Sequence, residues 1–454
     1  MRSRFIATLT GALLISGCAP ALQDAPRGAS VAAPIAWRTQ LGVPAPVEAQ
    51  WWQRFGDPQM SALVEKARAN NPDVRIAAAR VEQARATERG SRGLLLPSLG
   101  IGVDGAVRRE VSPFGQGLES VGVQPAFRAS YELDLFGKNA AQIDAASAGV
   151  AASEASEEAV RLSVTAATAT GYITLLALDA RLMVLEDTVV ARQQALKFAR
   201  DRAEVGYTSQ LELRQAEAEY QAAVQLVPQL RAQIARQENA LAVLSGDLPR
   251  TVDRGGTLDN LRQPAAPSTL PSELLRRRPD IAVAEYRLAA ADAQMRAARA
   301  QFMPSINLGA SAGIAISDLL ADPISLWSVG GSILAPIFQG GRLTAQLDAT
   351  TAQRDQAAWA YRSAALNAFR EVDDRMAVLA NLTKQEVALR AQRMAVADAL
   401  RHASNRYRAG YTAYIEQIDA QRALLGVDLS LIQTRTDELT TLIGLYQAVG
   451  GAAD

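Results

Sequence analysis

Two long segments without proline constrain this chain more than any other feature. They cover residues 139–203 and 341–408, and both are rich in Ala, Leu, Arg, Gln and Glu, which have high helix propensity. At 1.5 Å per residue, each segment predicts a continuous helix roughly 97 to 102 Å long. Helices of that length are far outside the range of ordinary globular domains.

Apolar residues recur every seven positions in both segments, which is the pattern of a coiled coil. The series are Leu175, Leu182, Val189 and Leu196 in the first segment, and Leu382, Leu389, Val396 and Ala403 in the second. Heptads of the same kind continue in 209–245 and 412–449, on the far side of the glycines Gly206 and Gly410. The sequence therefore predicts two antiparallel helical hairpins, with a kink at Pro228 in the first return helix.

The period changes to two between residues 97 and 137 and again after residue 304. Alternating apolar and polar side chains predict two strands of about ten residues in each region, with a loop at 111–123. Residues 279–305 align without a gap on 72–98, so the chain is internally duplicated. Four strands cannot close a barrel and an open edge cannot face lipid, so closure requires several chains.

The N-terminus has the pattern of an export signal. Arg2 and Arg4 precede a short apolar run that ends in Ile15-Ser16-Gly17-Cys18, which predicts a signal peptide at 1–17. Cys18 is the only cysteine and stands where a bacterial lipoprotein carries its acyl chains; the alternative is a chance cysteine beside an ordinary cleavage site. Residues 18–50 then predict a lipid-anchored extended tether.

Composition excludes several classes of function. The 47 basic and 47 acidic residues balance, which leaves no net charge to attract nucleic acid. The single histidine, His402, predicts a solvated or packed side chain rather than a metal ligand, and no cofactor or metal site is expected. Glu132 and Asp134 could be mistaken for a catalytic pair, but no nucleophile or metal partner accompanies them. We therefore expect the two acids to line a polar lumen, and we do not expect the chain to be an enzyme. The arginines of Arg276-Arg277-Arg278-Pro279-Asp280 are expected on a solvated helix face.

Four segments carry a resemblance to a known family. YELDLFGKNAA (131–141), the segment 276–308 and LAPIFQGGRL (334–343), with WWQRFGDP near the start, resemble the TolC/OprM outer-membrane efflux family, in particular its lipoprotein branch. The resemblance covers nearly the whole mature chain. It implies repeats at 51–245 and 279–450, joined by an equatorial segment at 246–278.

The same resemblance implies a fold of mixed α and β structure. Three chains would form a twelve-stranded β-barrel continued by a coiled-coil α-barrel, with a small equatorial collar. The implied partners are two further copies, a periplasmic adaptor, an inner-membrane pump and outer-membrane lipid, and the channel itself would be passive. Export of small molecules is favoured; the alternatives are type I protein secretion and a structural coiled-coil lipoprotein of the envelope.

Two sets of site residues follow at the hairpin turns. Glu416 and Asp419 are three positions apart, so they share one helix face, and the family has acidic rings at the matching positions. The family also links a tyrosine matching Tyr407 to an acid matching Glu212. The alternative for the acids is a solvated pair at a helix N-terminus.

The turns themselves are the second set. In the family they meet the helical hairpins of the adaptor. The corresponding residues of this chain are Gly206, Tyr207, Gly410 and Tyr411.

Overall fold

A computed structural model describes residues 20, 24–39, 47–111, 113–267 and 269–451. The predicted signal peptide and Cys18 lie outside the described residues. The chain divides into two compact units. The first holds the described residues up to Ser30 together with Arg80–Glu154 and Val283–Ser363, and the second holds the remainder.

Nine helices and four strands make up the described part of the chain. The helices are α1 (Pro58–Asn70), α2 (Pro72–Arg92), α3 (Lys138–Glu204), α4 (Gln210–Val224), α5 (Leu226–Leu244), α6 (Pro271–Arg277), α7 (Pro279–Ala300), α8 (Arg342–Arg408) and α9 (Tyr414–Ala448). The strands are β1 (Ser98–Val111), β2 (Gly117–Leu133), β3 (Ser305–Ser317) and β4 (Ile324–Leu334). The order helix, two strands, long helix and return helix occurs twice, which confirms the predicted duplication.

The long helices are confirmed at 67 residues each. The first return helix is interrupted at Gln225, three residues before Pro228. Pro228 has no N–H to donate to the carbonyl of Val224, and its ring crowds that carbonyl, so the helix breaks one turn earlier. Among the described helices, none is long and apolar enough to cross a membrane.

The four strands form one antiparallel sheet in the order β1-β2-β3-β4. The prediction of a loop at 111–123 was wrong in part, because 117–123 belong to β2 and pair with the end of β1. Arg109 lies opposite Glu119 in this extension, and a cross-strand pair of opposite charge favours pairing.

The register sorts the side chains of the sheet by polarity. One cross-strand row is Ile101, Phe127, Ala312 and Trp327, and the next row on the same face is Leu99, Ala129, Ala310 and Val329. The intervening row on the opposite face is Gly100, Arg128, Ser311 and Ser328. The sheet therefore has one apolar face and one polar face, and the large apolar side chains of β1 are exposed in the single chain.

Arg278 is buried, although the sequence predicted that it would lie on a solvated helix face. Its side chain forms ion pairs with Asp280 at 2.7 Å and Glu371 at 2.9 Å, and donates to the carbonyl oxygen of Ala448. Arg276 and Arg277 are exposed. A short motif cannot show which of three adjacent arginines meets an acid supplied from a distant part of the chain.

Asp134 has a structural role that the sequence interpretation missed. Its carboxylate accepts the backbone N–H groups of Asn139 at 3.0 Å and Ala140 at 2.7 Å, in the first turn of α3. An anion at a helix N-terminus is stabilised by the free N–H groups and the helix dipole. Glu132 pairs with Lys138 at 2.5 Å. Both acids therefore help to join the sheet to the long helix.

The described part of the predicted tether lies against helices. In the first unit, Arg299 and Arg354 donate to the carbonyl oxygens of Pro20 and Asp24. In the second unit, the Trp37 ring contacts Phe369 and its indole N–H donates to the carbonyl oxygen of Thr269 at 2.7 Å. Residues 24–39 are thus held by specific contacts within each unit.

Glu438 is the most deeply buried acid of α9. Its side chain has no exposed surface, and neither carboxylate oxygen has a hydrogen-bond partner among the described residues. Arg435 on the same helix lies 3.5 Å away, and Glu386 and Arg390 face it from α8. Burial, and next the charge of Glu386, raise the pKa of the Glu438 carboxyl, while the two arginines oppose this change.

A pH dependence of stability follows from this burial. Because the folded-state pKa exceeds the unfolded value, the stabilising contribution of protonated Glu438 is complete below the unfolded pKa and is lost as pH rises through the folded pKa. We expect the melting temperature of the natural protein to fall relative to Glu438→Gln over the pH range that begins at 4.5, the ordinary pKa of a glutamate carboxyl. Calorimetry of both proteins across that range checks this expectation, and equal pH slopes would contradict it.

Candidate functional site at the hairpin turns

The two hairpin turns share one backbone design. Gly206 and Gly410 have φ angles of 77° and 78°, a left-handed conformation that glycine adopts without steric cost. The residue after each glycine donates its N–H to a carbonyl oxygen five positions back, Tyr207 to Arg202 and Tyr411 to Arg406, both at 2.9 Å. This bonding pattern closes a helix C-terminus and lets the chain reverse.

The tips of the turns are open to solvent. Tyr207 is 77% exposed and Tyr411 is 80% exposed. A Cβ atom added at Gly206 or Gly410 would have no atom within 4 Å. All four predicted docking residues therefore lie on an accessible surface of the second unit.

Glu212, a predicted gate residue, is engaged within its own turn. Its backbone N–H donates to the Ser209 hydroxyl, which caps α4, and its carboxylate accepts a hydrogen bond from the Thr208 hydroxyl. The position that matches Ser209 in the second turn is Ala413, which offers no side-chain cap.

Tyr407, the predicted partner of Glu212, lies in an apolar cluster behind the turns. Its ring lies 5.6 Å from Phe198 and 5.2 Å from Tyr414. The cluster, here called the tip core, also contains Ala195, Leu196, Ala199, Leu213, Ala216, Tyr220 and Ile418. It joins the first hairpin to the second through side chains of α3, α4, α8 and α9.

The Tyr407 hydroxyl is buried without a hydrogen-bond partner in the described part of the chain. Burial, and next the charge of Glu212, raise its pKa. Burial also raises the pKa of Tyr414 to about 12. The predicted link between Tyr407 and Glu212 is therefore not a hydrogen bond within this described chain, although the carboxylate is near enough to act through its charge.

Arg202 contacts the tip core, although no sequence pattern indicated this role. Its guanidinium lies 5.6 Å from the ring centres of both Phe198 and Tyr407, within the range of cation–π attraction. It also donates to the carbonyl oxygen of Tyr407 at 3.4 Å. Arg202 on α3 is thus a contact between the first hairpin and the end of α8.

An ionic cluster with two buried members, Arg192 and Glu219, lies beside the tip core. Arg192 of α3 forms an ion pair with Glu219 of α4 at 3.0 Å and donates to its backbone carbonyl oxygen at 2.7 Å. Arg422 of α9 binds the other carboxylate oxygen of Glu219. We call Arg192, Glu219 and Arg422 the Glu219 cluster. It ties the second hairpin to the first by charge, because Arg422 alone comes from α9.

A signal for the Glu219 cluster was present in the heptads. The positions three residues after the apolar series of α3 are Leu178, Leu185, Arg192 and Ala199, and all four are buried. A single arginine in such a series requires a buried acid. The sequence could have indicated the arginine, but not which acid it meets.

The predicted gate acids lie on an exposed face of α9. Glu416 is 3.8 Å from Arg406, and Asp419 is 3.8 Å from Arg422. Both carboxylates are largely exposed, so these ion pairs are weak. Arg422 lies between Asp419 and Glu219 and so connects the exposed acids to the buried cluster.

The described residues at these turns do not form a metal site. No group of three or more His, Cys, Asp or Glu residues in the described ranges is placed to hold a metal ion. His402 is exposed on α8.

Two repeated halves, each with a long helical hairpin and half of an antiparallel sheet, define the class of outer-membrane ducts. The model of the "Outer membrane efflux protein" family matches residues 63–247 and 270–451. The chain belongs to this family. The resemblance seen in the sequence motifs is confirmed.

Known proteins agree with this assignment along the whole chain. The toluene efflux pump outer membrane protein TtgC of Pseudomonas putida is 32% identical over 99% of this chain and 96% of its own length. Outer membrane protein OprJ of Pseudomonas aeruginosa is 33% identical over 98% and 95%. The open-state crystal structure of the MtrE channel of Neisseria gonorrhoeae has a TM-score of 0.82 at 28% identity, with 95% of this chain and 98% of that chain covered. The protein is an outer-membrane efflux duct.

Proposed function

We propose that three copies of this chain form a passive exit duct for small organic molecules. The observation that carries the proposal is the separation of side chains on the sheet. Apolar rows cross all four strands on one face, and the rows on the opposite face are polar. This is the pattern of membrane strands with lipid on one side and a water-filled lumen on the other. The open edges of β1 and β4 require neighbouring copies, and three copies would give twelve strands.

An inner-membrane pump would supply the energy through a periplasmic adaptor. The accessible turns at Gly206-Tyr207 and Gly410-Tyr411 would receive the adaptor, since their repeated design presents two similar surfaces per chain. No catalytic role is proposed for any residue. In the proposed layout, residues 1–17 are the signal peptide, 18–50 the lipid-anchored segment and 246–278 the equatorial segment between the two repeats.

The proposed substrates are drugs, organic toxicants or metabolites. The similarity to a toluene efflux protein supports this class. The alternatives are a duct for type I protein secretion and a structural lipoprotein of the envelope.

Single-channel recording tests the duct against the structural alternative. We expect the purified trimer to conduct ions in a planar bilayer, in discrete steps that one trimer produces. A trimer that inserts but never conducts would contradict the duct. Accumulation of a hydrophobic dye in cells that lack the gene, reversed by the natural chain, tests the substrate class.

Glu416 and Asp419 are proposed to line the gate. Three copies would place six carboxylates around the axis, so Asp419→Ala should reduce cation selectivity and block by multivalent cations. The matched control is Asp398→Asn, which removes an exposed acid from α8. Reversal potentials in a salt gradient measure the selectivity. Unchanged selectivity after loss of both Glu416 and Asp419 would place the constriction elsewhere.

Cys18 is proposed to carry acyl chains after cleavage at residue 17. Cys18→Ser should abolish acylation and cleavage by the lipoprotein peptidase, while the barrel still inserts through its own apolar band. Mass spectrometry of the mature N-terminus checks this expectation. An unmodified first residue other than Cys18 in the natural protein would refute lipidation.

A further inference from the structure

The sheet leaves two strand edges open at opposite sides. β1 and β4 are the outer strands, and neither has a partner on its outer edge among the described residues. β1 begins at Ser98 and β4 ends at Leu334, and the register places both residues at the end of the sheet where the helices attach. In a ring of copies, β4 of one copy would therefore run antiparallel to β1 of the next.

Apolar side chains stand uncovered at this end of the first edge. Leu94, Leu95 and Leu96 connect α2 to β1, and their exposed fractions are 45%, 41% and 68%. Three adjacent exposed leucines are unusual on a protein surface and mark a contact site. We call them the leucine knob.

The second repeat does not share this exposure at the matching positions. The residues that align with the knob are Gln301, Phe302 and Met303, all only partly exposed. Phe302 packs against Met295, Ala298 and Leu347 within the same unit. The same position is therefore covered in the second repeat and uncovered in the first.

A cavity with both apolar and charged lining residues lies beside the other edge. It has a volume of about 480 Å³, and its apolar lining includes Phe136, Met303, Pro336, Ile337, Phe338 and Leu343. Ile337 and Phe338 lie three and four residues after the end of β4 and are 93% and 86% exposed. Side chains so exposed beside a cavity have no cover within the described chain.

We infer that the leucine knob of one copy inserts into the cavity beside Ile337 and Phe338 of the neighbouring copy. The contact would continue the β1–β4 pairing below the membrane strands and seal the junction between barrel and helices. The inference rests on the proposed trimer. A second copy is the occupant that the topology favours, because the antiparallel pairing brings residues 94–96 and 335–338 to the same end of adjacent strands.

Cysteine crosslinking tests the contact directly. Leu94, Leu95 and Leu96 are each replaced by cysteine in combination with Phe338→Cys in the full-length protein, where Cys18 is the only natural cysteine. Oxidation or a short bis-maleimide should join neighbouring copies into covalent dimers and trimers in at least one pair. The control is Leu96→Cys with Val329→Cys, an exposed position within β4, which should not crosslink.

Light scattering of the same samples separates the two hypotheses. A trimeric mass with no crosslink in any of the three knob pairs would overturn the knob contact and leave the trimer intact. A monomeric mass for the natural protein would overturn the proposed trimer and the contact together.

A charge substitution provides an independent measurement. Leu96→Asp should lower the temperature at which the trimer dissociates by roughly 5 °C or more, because a carboxylate would be buried in an apolar contact. Leu319→Asp is the matched control, since Leu319 is an exposed leucine in the β3–β4 connection. Equal dissociation temperatures for the two variants would count against the inference.

Discussion

Replacing Gly410 with tryptophan is expected to abolish export while the trimer still folds. Gly410 has a φ of 78° and open space around it, so tryptophan strains one turn by about 1 kcal/mol without a clash inside the chain. The bulky ring would instead occupy the surface proposed to receive the adaptor. Folding of the hairpin survives because its stability comes from the tip core and the long coiled coil.

The control for this experiment is Gly410→Asn. Asparagine tolerates the left-handed conformation better than other non-glycine residues, so this variant should retain export. Dye efflux from cells measures function, and site-specific crosslinking to the adaptor measures docking. Unchanged crosslinking and unchanged efflux in Gly410→Trp would show that the adaptor does not meet this turn.

Replacing Glu219 with glutamine is expected to open the closed end of the duct. Loss of this carboxylate leaves buried Arg192 without its ion pair and releases Arg422. Removal of one partner from a buried ion pair typically costs about 3–5 kcal/mol. Because the cluster joins α9 to the first hairpin, we expect part of that cost to appear as a higher open probability and a larger mean conductance.

Two control variants test whether the loss of the Glu219 cluster itself causes the expected change in conductance. Asp398→Asn removes an exposed ion pair with Arg401, which is worth at most about 1 kcal/mol, so conductance should not change. Tyr407→Phe removes a hydroxyl that has no partner in the described chain, so its effect should be small. The opposite result would be a large conductance increase in the double variant Tyr407→Phe with Glu212→Gln and none in Glu219→Gln. It would show that the Tyr407–Glu212 link implied by the family, and not the Glu219 cluster, keeps the channel closed.

An open channel is known for a protein of the same fold. The crystal structure of MtrE is that of its open state, so this architecture accommodates an open channel in that protein. In this chain the tip core and the Glu219 cluster both join the two hairpins, so we expect opening to change them. Single-channel recordings on Glu219→Gln and on Tyr407→Phe would show which of them limits the transition.

Local patterns were enough to predict most of the fold. The bounds of both long helices, the glycine turns, the four strands and the duplication depend on propensity, periodicity and backbone freedom, which adjacent residues determine. The turn glycines Gly206 and Gly410 could be predicted for the same reason. The family motifs added the duct function, which the matches to known proteins confirm.

Other features depended on residues that are far apart in the sequence. The pairing of 117–123 with β1, the burial of Arg278 and the capping by Asp134 each require a partner whose position the local pattern does not give. At the tips, spacing indicated Glu416 and Asp419, and the family resemblance implied Tyr407 and Glu212. The folded chain brought Arg202 and the Glu219 cluster together.

The sequence by itself determined the limits of the two long helices and the positions of the glycine turns, because these follow from local steric and hydrogen-bonding rules. It did not determine where β2 begins, because that limit depends on pairing with β1. Only the tertiary structure decided which charges are buried and which are exposed. Arg192 and Arg401 lie on the same kind of alanine-rich helix, yet the first is enclosed with Glu219 and the second faces solvent. Burial determines the strength of an ion pair, since water screens charges at the surface and not in the packed interior.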